Sequence, residues 1–255
     1  MRKVLTLALA ITAFAAIAGT AAASHSWGGY HWARTSPFTL KLSDNVNTAW
    51  DSYLTTTSED WSTSAVLDTT IITGRADPKK CRPTSGRVEV CNASYGRNGW
   101  LGIASIWASG PHITQGTVKV NDSYFNAAPY NTPAWRNLVM CQEVGHTLGL
   151  DHQDEVFANP NLMTCMDYTN NPDTNQHPNL HDYTMLEMLY AHGDATTTIA
   201  RAGTASAAVV GERREDWGER VRSGRNGVPS LYRKPLSNTE TLFTFVYEVD
   251  GTHAD

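Results

Sequence analysis

The segment from Cys141 to His152 constrains the chain more than any other part of the sequence. It carries the spacing E-x-x-H-x-x-G-x-x-H as Glu143, His146, Gly149 and His152. Positions 142 and 146 are one helical turn apart, so Gln142 and His146 project from the same face of a helix. A turn at Gly149 would bring His152 back to the same point. The segment therefore predicts a helix that ends at a glycine and gathers three side chains around one ion.

Hydrophobic periodicity predicts an α+β fold in which helices and strands are partly segregated. Runs rich in β-branched and aromatic residues, separated by Gly, Pro and Asn, predict strands over 38–42, 66–72, 100–107 and 113–120. Ser43 or Asp44 is expected to cap a helix that begins directly after the first of these strands.

Two further helices are predicted around the motif. Thr132 followed by Pro133 is a cap with proline at the first helical position, and the helix is expected to run to about Leu148. A long irregular stretch then leads to a final helix that carries Tyr183 and Leu186 on one side.

The N-terminus has the pattern of a secretory signal. Arg2 and Lys3 precede an apolar stretch from Val4 to about Ala18, and small residues end at Ala23. The apolar stretch is short for a membrane span. We expect residues 1–23 to be removed on export, which leaves a secreted, extracellular protein with no stable membrane insertion.

Composition divides the rest of the chain into three parts. Residues 24–193 form the main domain, 194–210 an Ala/Thr/Gly-rich linker, and 211–255 a small extension of unknown role. Phe243, Phe245 and Tyr247 alternate within the extension and predict a small β element there. The net charge of −5 and the lack of a basic face argue against a nucleic-acid partner.

Four cysteines, Cys81, Cys91, Cys141 and Cys165, are disulfide candidates because secreted thiols usually pair. Three pairings are compatible with four cysteines. Cys81–Cys91 is favoured because that bridge would close a hairpin loop that contains proline and glycine.

The segment with Glu143, His146, Gly149 and His152 resembles the metzincin zinc endopeptidases, most closely their matrixin-like branch, whose motif is H-E-x-x-H-x-x-G-x-x-H. Downstream, the run T-C-M-D-Y at 164–168 is similar to the Met-turn that lies beneath the metal in that family, with Met166 as its methionine. The resemblance covers roughly residues 30–193. It implies a twisted sheet, a long active-site helix, the Met-turn and a C-terminal helix.

The resemblance also implies a role for each motif residue. Gln142, His146 and His152 would bind Zn²⁺, and Glu143 would act as the general base toward a metal-activated water that hydrolyses a peptide bond. Tyr168 would bind the metal or stabilise the oxyanion, or would only pack within the turn. Ca²⁺ is a further candidate cofactor, for which the sequence singles out no residues.

Gln142 departs from the family pattern, which has histidine at this position. Glutamine Oε1 and histidine Nε2 are both four bonds from Cα, so reach is preserved, but glutamine is outside the usual zinc ligand set. Two hypotheses therefore stay open: an active zinc endopeptidase, or an inactive secreted binding or structural protein that has lost the metal. If Gln142 does not bind, His112 or His181 is the alternative ligand.

The resemblance implies two more features. A metzincin-like fold places Cys141 and Cys165 near the floor of the metal site, which favours a bridge between them. It also implies that a protein or peptide substrate lies extended along a sheet edge, for which the best candidate is the strand from Trp100 to Trp107. A monomer is expected.

Overall fold

A computed structural model describes residues 25–199, 210–223 and 229–249 of the chain. The predicted signal segment 1–23 lies outside the described residues, as does most of the predicted linker, at 200–209. No helix in the described part is long and apolar enough to cross a membrane.

The described residues form a mixed α/β fold with nine strands and five α-helices. The strands are β1 (His31–Trp32), β2 (Phe38–Asn45), β3 (Leu67–Thr73), β4 (Val88–Ala93), β5 (Trp100–Ser109), β6 (His112–Asn121), β7 (Glu219–Ser223), β8 (Pro229–Pro235) and β9 (Glu240–Glu248). The helices are α1 (Asp51–Trp61), α2 (Asp122–Phe125), α3 (Pro133–Thr147), α4 (Leu180–Leu189) and α5 (Arg214–Trp217), with a 3₁₀ turn at Pro172–Thr174.

All strands belong to one sheet, whose order is β3-β2-β4-β6-β5-β9-β8-β7, with β1 added alongside β6. The first half is parallel from β3 to β6, and the second half is antiparallel from β5 to β7. The two halves meet at β5. The C-terminal residues therefore extend the sheet of the main domain instead of forming a sheet of their own.

Both faces of the sheet are covered at β5. Leu101, Ala104 and Ile106 face the main core, to which α1, α3 and α4 also contribute. Trp100, Ile103 and Trp107 face the opposite side and form a second cluster with C-terminal residues, namely Val210, Trp217, Tyr232, Leu242 and Val246. This alternation explains why β5 reads as an almost continuous apolar run.

The predicted strands and the two later helices are present, but the prediction that Ser43 or Asp44 caps a helix is wrong. Both residues stay in β2, where they pair with Ile72 and Thr73 of β3. The helix α1 begins only at Asp51, and its N-cap residue Trp50 makes no side-chain capping bond. The backbone of these two residues instead belongs to the parallel ladder between β2 and β3.

Both disulfides that the sequence favours are present, and the described residues contain no free cysteine. The Cα atoms are 6.0 Å apart in Cys81–Cys91 and 5.9 Å apart in Cys141–Cys165. The expectation that Cys81–Cys91 closes a hairpin is wrong, because β3 and β4 do not pair with each other. The bridge instead fastens the β3–β4 connection onto β4.

Candidate metal centre and peptide cleft

The helix that carries the motif begins as predicted. Pro133 is its first residue, and the Thr132 side chain accepts a hydrogen bond from the backbone N–H of Trp135 at 3.3 Å. The last turns of α3 place Gln142, Glu143 and His146 in the core, each at most 1% exposed.

Gly149 turns the chain back toward the helix. Its φ of +102° is in the left-handed region, and a Cβ at this position would lie 2.5 Å from the carbonyl oxygen of Tyr30. Glycine alone satisfies both restrictions. The turn brings the ring of His152 to 4.5 Å from that of His146, at an angle of 87°.

The hydrogen bonds of the two histidines fix which nitrogen of each ring carries the hydrogen. Nδ1 of His146 lies 2.9 Å from the carbonyl oxygen of Leu150, and Nδ1 of His152 lies 3.0 Å from Oε1 of Glu155. Both oxygens accept hydrogen bonds, so each Nδ1 is the donor. In the neutral rings Nε2 then carries a lone pair, the form in which histidine binds metals when its other nitrogen is held by an oxygen.

The Gln142 amide is oriented in the same way. Its Nε2 donates to the carbonyl oxygen of Cys165 at 2.6 Å, so Oε1 faces the other direction. Among the described residues, neither Gln142 Oε1 nor His152 Nε2 has a hydrogen-bond partner, although both atoms are buried. A buried acceptor without a partner is costly, and a cation would satisfy it. The residues present therefore fit a metal ion held by two imidazoles and one amide oxygen.

The segment expected to form a Met-turn lies against α3. A Cβ on Gly145 would come within 2.6 Å of the sulfur of Met166, so the missing side chain makes room for the methionine. Beyond His152, the backbone N–H of Gln153 donates to the carbonyl oxygen of Met166 at 2.6 Å. Together with the Cys141–Cys165 bridge, these contacts fasten the turn to the motif helix.

The side chain of Glu143 projects from α3 toward β5. A Cβ on Gly102 of β5 would be 2.6 Å from Oε1 of Glu143, so a glycine is needed where the carboxyl passes the strand. Burial raises the pKa of Glu143 well above its usual range, against the lowering effect of the backbone N–H groups of Tyr247 and Ala104. The side chain is thus a buried carboxyl close to the backbone of two neighbouring strands.

Strand β9 occupies the edge that was expected to receive a substrate. It pairs antiparallel with β5 along its length, with Ala104 opposite Phe245 and Ile103 opposite Val246. The ring of Phe245 stacks on His146 with a centroid distance of 4.0 Å and an interplanar angle of 12°. The expectation of a free edge at Trp100–Trp107 is therefore wrong, because the C-terminal extension supplies the next strand.

Tyr168 contacts both the motif and β9. Its ring lies 4.3 Å from that of His152, and its hydroxyl donates to the carbonyl oxygen of Val246 at 2.9 Å. Burial raises the pKa of this hydroxyl well above its usual range, so it remains a donor. The hydroxyl thus binds a peptide carbonyl beside the two histidines.

The two histidines named as alternative ligands lie in other contacts. The His181 ring stacks on His25, with centroids 4.8 Å apart. Nε2 of His112 lies 3.1 Å from Oδ1 of Asp194, a residue that also contacts His31 and His192. His112 thus belongs to a second cluster.

Sequence reasoning did not identify this second cluster. Among the described residues, His31, His192 and Asp194 form one group of side chains that could hold a metal ion, and Asp151, His152 and Glu155 form another. His31 and Asp194 are separated by 163 positions, so no local spacing indicates that they meet. The role of Phe245 was also missed, although its alternation with Phe243 and Tyr247 predicted a strand.

Comparison with known proteins gives little beyond this geometry. No protein-family model matches the chain, and no curated protein sequence matches it. Among solved structures, the crystal structure of myroilysin is similar at 14% identity and a TM-score of 0.35, over 65% of this chain and 87% of that chain.

Proposed function

We propose that the chain is a secreted, zinc-dependent endopeptidase of the metzincin type, matrixin-like, whose own C-terminal strand fills the substrate cleft. One observation carries the proposal: an extended peptide, β9, crosses the motif residues with a backbone carbonyl bound to Tyr168. The cleft therefore accepts a peptide main chain at the place where the motif residues lie.

Gln142, His146 and His152 would hold the metal through one amide oxygen and two imidazole nitrogens. Zinc bound by them would supply Lewis-acid chemistry, polarising a carbonyl group and acidifying water. All three donors are neutral, so they leave the charge of the ion undiminished.

Glu143 is assigned the proton transfers of hydrolysis, and Tyr168 the stabilisation of the carbonyl oxygen. Glu143 accepts a proton from water as the water oxygen attacks the carbonyl carbon, and it delivers that proton to the nitrogen of the leaving amine. Tyr168 donates a hydrogen bond to the carbonyl oxygen while negative charge develops there. The peptide bond between Val246 and Tyr247 lies at this position, because its oxygen accepts from Tyr168 and the backbone N–H of Tyr247 is near enough to lower the pKa of Glu143.

The substrate class follows from β9. A peptide that replaces it would pair antiparallel with β5 and would place alternate side chains against the motif helix. Phe245 occupies the position above His146, so we expect a preference for an aromatic residue there.

Substrate can enter only when β9 leaves, and a single substitution tests this. Phe245→Asp removes the ring stacked on His146 and places a charge in an apolar cleft. Hydrolysis of an unfolded protein should rise at least about tenfold. This is the increase in the population of the open form that follows when the free energy of opening falls by about 1.4 kcal/mol. Val221→Asp is the matched control, because it adds the same charge to an exposed position of the extension.

The outcomes separate closure from chemistry. Equal hydrolysis by the wild type, Phe245→Asp and Val221→Asp would contradict the closed cleft. A second outcome is that neither Phe245→Asp nor a chain cut at a protease site inserted within 200–209 hydrolyses protein or binds zinc. This outcome would contradict the proposed enzymatic function and favour an inactive scaffold.

A further inference from the structure

A second group of metal-ligating side chains lies outside the cleft. We propose that His31, His192 and Asp194, which together with their neighbour His112 are here called the Asp194 cluster, bind one zinc ion that joins two distant segments of the chain. The inference does not rest on the proposed peptidase function. It concerns the start of β1 and the segment that follows α4.

The ligand atoms of His31, His192 and Asp194 all lie within 4.8 Å of one another, as three ligands of a tetrahedral site require. Zinc with nitrogen and oxygen ligands at about 2.0–2.1 Å separates those ligands by roughly 3.3 Å. Oδ1 of Asp194 lies 3.1 Å from Nε2 of His112, 3.4 Å from Nε2 of His31 and 3.8 Å from Nε2 of His192. The Nε2 atoms of His31 and His192 are 3.1 Å apart.

The hydrogen bond of His31 to the backbone leaves its Nε2 facing the other ligand atoms. Nδ1 of His31 lies 2.8 Å from the carbonyl oxygen of Gly29, so Nδ1 is the donor. In the neutral ring Nε2 then directs a lone pair at Oδ1 of Asp194, and two acceptors at that distance repel each other. A proton on Nε2 of His31 or of His192 would satisfy one of these contacts, whereas one metal ion would satisfy the contacts among His31, His192 and Asp194 together.

The surroundings of the cluster hold its ligands in place. The other carboxylate oxygen of Asp194, Oδ2, accepts from the backbone N–H of Arg34 at 2.9 Å. Second contacts of this kind orient metal ligands, and His31 has one at Gly29. The side chains of His31 and Asp194 are 7% and 10% exposed, while that of His192 is 54% exposed. The site therefore has a buried base and a side open to an incoming ion.

The donor set favours zinc over calcium. Two imidazoles and one carboxylate are among the nitrogen and oxygen ligands of zinc sites, whereas calcium takes oxygen ligands. His112, whose Nε2 is 3.1 Å from Oδ1 of Asp194, would orient that carboxylate from outside the ligand set. His31 and His192 are 161 positions apart, so the ion would act as a cross-link over a long stretch of chain.

The test is a zinc count on the full chain. In a His146→Ala/His152→Ala background, the motif no longer supplies imidazoles, and zinc retained after gel filtration reports on the Asp194 cluster. We expect one equivalent in this background, none after adding Asp194→Asn, and a large loss after adding His192→Ala. His177→Ala is the matched control, because the His177 side chain pairs with Asp60 at 2.7 Å, outside the cluster, and its loss should leave the count unchanged.

Thermal unfolding gives a second measurement that does not depend on activity. A chelator should lower the Tm of the background protein and of its His177→Ala variant, but not that of the Asp194→Asn variant. Equal zinc content in all of these proteins, or a Tm that the chelator shifts in none of them, would overturn the proposal. A pH-dependent Tm with no bound zinc would also overturn the proposal, since it would show that the cluster binds a proton instead of a metal ion.

Discussion

Two histidine clusters in the described part of the chain are built in opposite ways. The motif site, formed by Gln142, Glu143, His146 and His152, comes from the end of one helix and the turn after it, and it is buried beneath β9. The Asp194 cluster is assembled from three separate segments and opens to solvent at His192. Chain-local ligands can be found from spacing alone, whereas ligands assembled by the fold cannot.

The two clusters also differ in what stands beside the ligands. The motif site has a carboxyl, Glu143, and a hydroxyl, Tyr168, next to a bound peptide strand. The Asp194 cluster is held by the backbone groups of Gly29 and Arg34. We propose proton transfer for the first cluster and cross-linking for the second, and the experiments below test this contrast.

The largest expected effect is on catalysis at the motif site. Glu143→Gln keeps the size of the side chain but removes the proton acceptor, so kcat should fall about 10²–10⁴-fold in the Phe245→Asp chain. Zinc content should stay the same, because Glu143 is not a ligand in this account. Glu187→Gln on the exposed side of α4 is the matched control. An unchanged kcat in Glu143→Gln would show that Glu143 is not the general base.

The next effect concerns the disulfides. Replacing both cysteines of either bridge by serine should cost about 3 kcal/mol of unfolding free energy, measured in urea. Only the Cys141→Ser/Cys165→Ser protein should also lose zinc affinity at the motif site, because the carbonyl of Cys165 orients Gln142. Equal zinc affinity in the two double variants would show that the motif site does not need this brace.

A smaller effect is expected at Gln142. In Gln142→His, Nδ1 can donate to Cys165 while Nε2 faces the metal, which is the pattern already seen at His146. Zinc affinity should rise on the order of tenfold or more, since changes in the outer shell alone reach that size. Gln142→Ala should lower it. Equal affinity in all three proteins, measured by competition with a chelating dye, would exclude Gln142 as a ligand.

The smallest effect is expected at the start of the motif helix. Thr132→Ala removes the side-chain oxygen that caps α3 and should cost about 1 kcal/mol of unfolding free energy. Zinc content should not change, because the cap is far along the helix from the ligands. A loss of zinc in this variant would mean that the site depends on the whole helix and not on its last turns.

The sequence predicted the elements that local chemistry determines. Thr132 and Pro133 begin α3, Gly149 ends the turn, and the alternation of Phe243 with Phe245 marks a strand. The pairing of β9 with β5 could not be predicted in this way, because the two strands are far apart in sequence and either could have been a sheet edge. The same limit applies to His31 and Asp194, which meet only after the sheet and α4 have packed.

Ser43 and Asp44 illustrate a different limit. Both are good capping residues, but the parallel ladder with β3 outweighs the local preference for a helix start.

The motif residues are proposed to hold a metal ion beneath the peptide cleft. Anomalous diffraction from crystals of the full chain, recorded on both sides of the zinc absorption edge, tests it most directly. We expect one peak in contact with Gln142 Oε1, His146 Nε2 and His152 Nε2, and a second peak at the Asp194 cluster. In zinc-containing crystals, the absence of a peak between His146 and His152, or a Gln142 side chain turned away from it, would contradict the account.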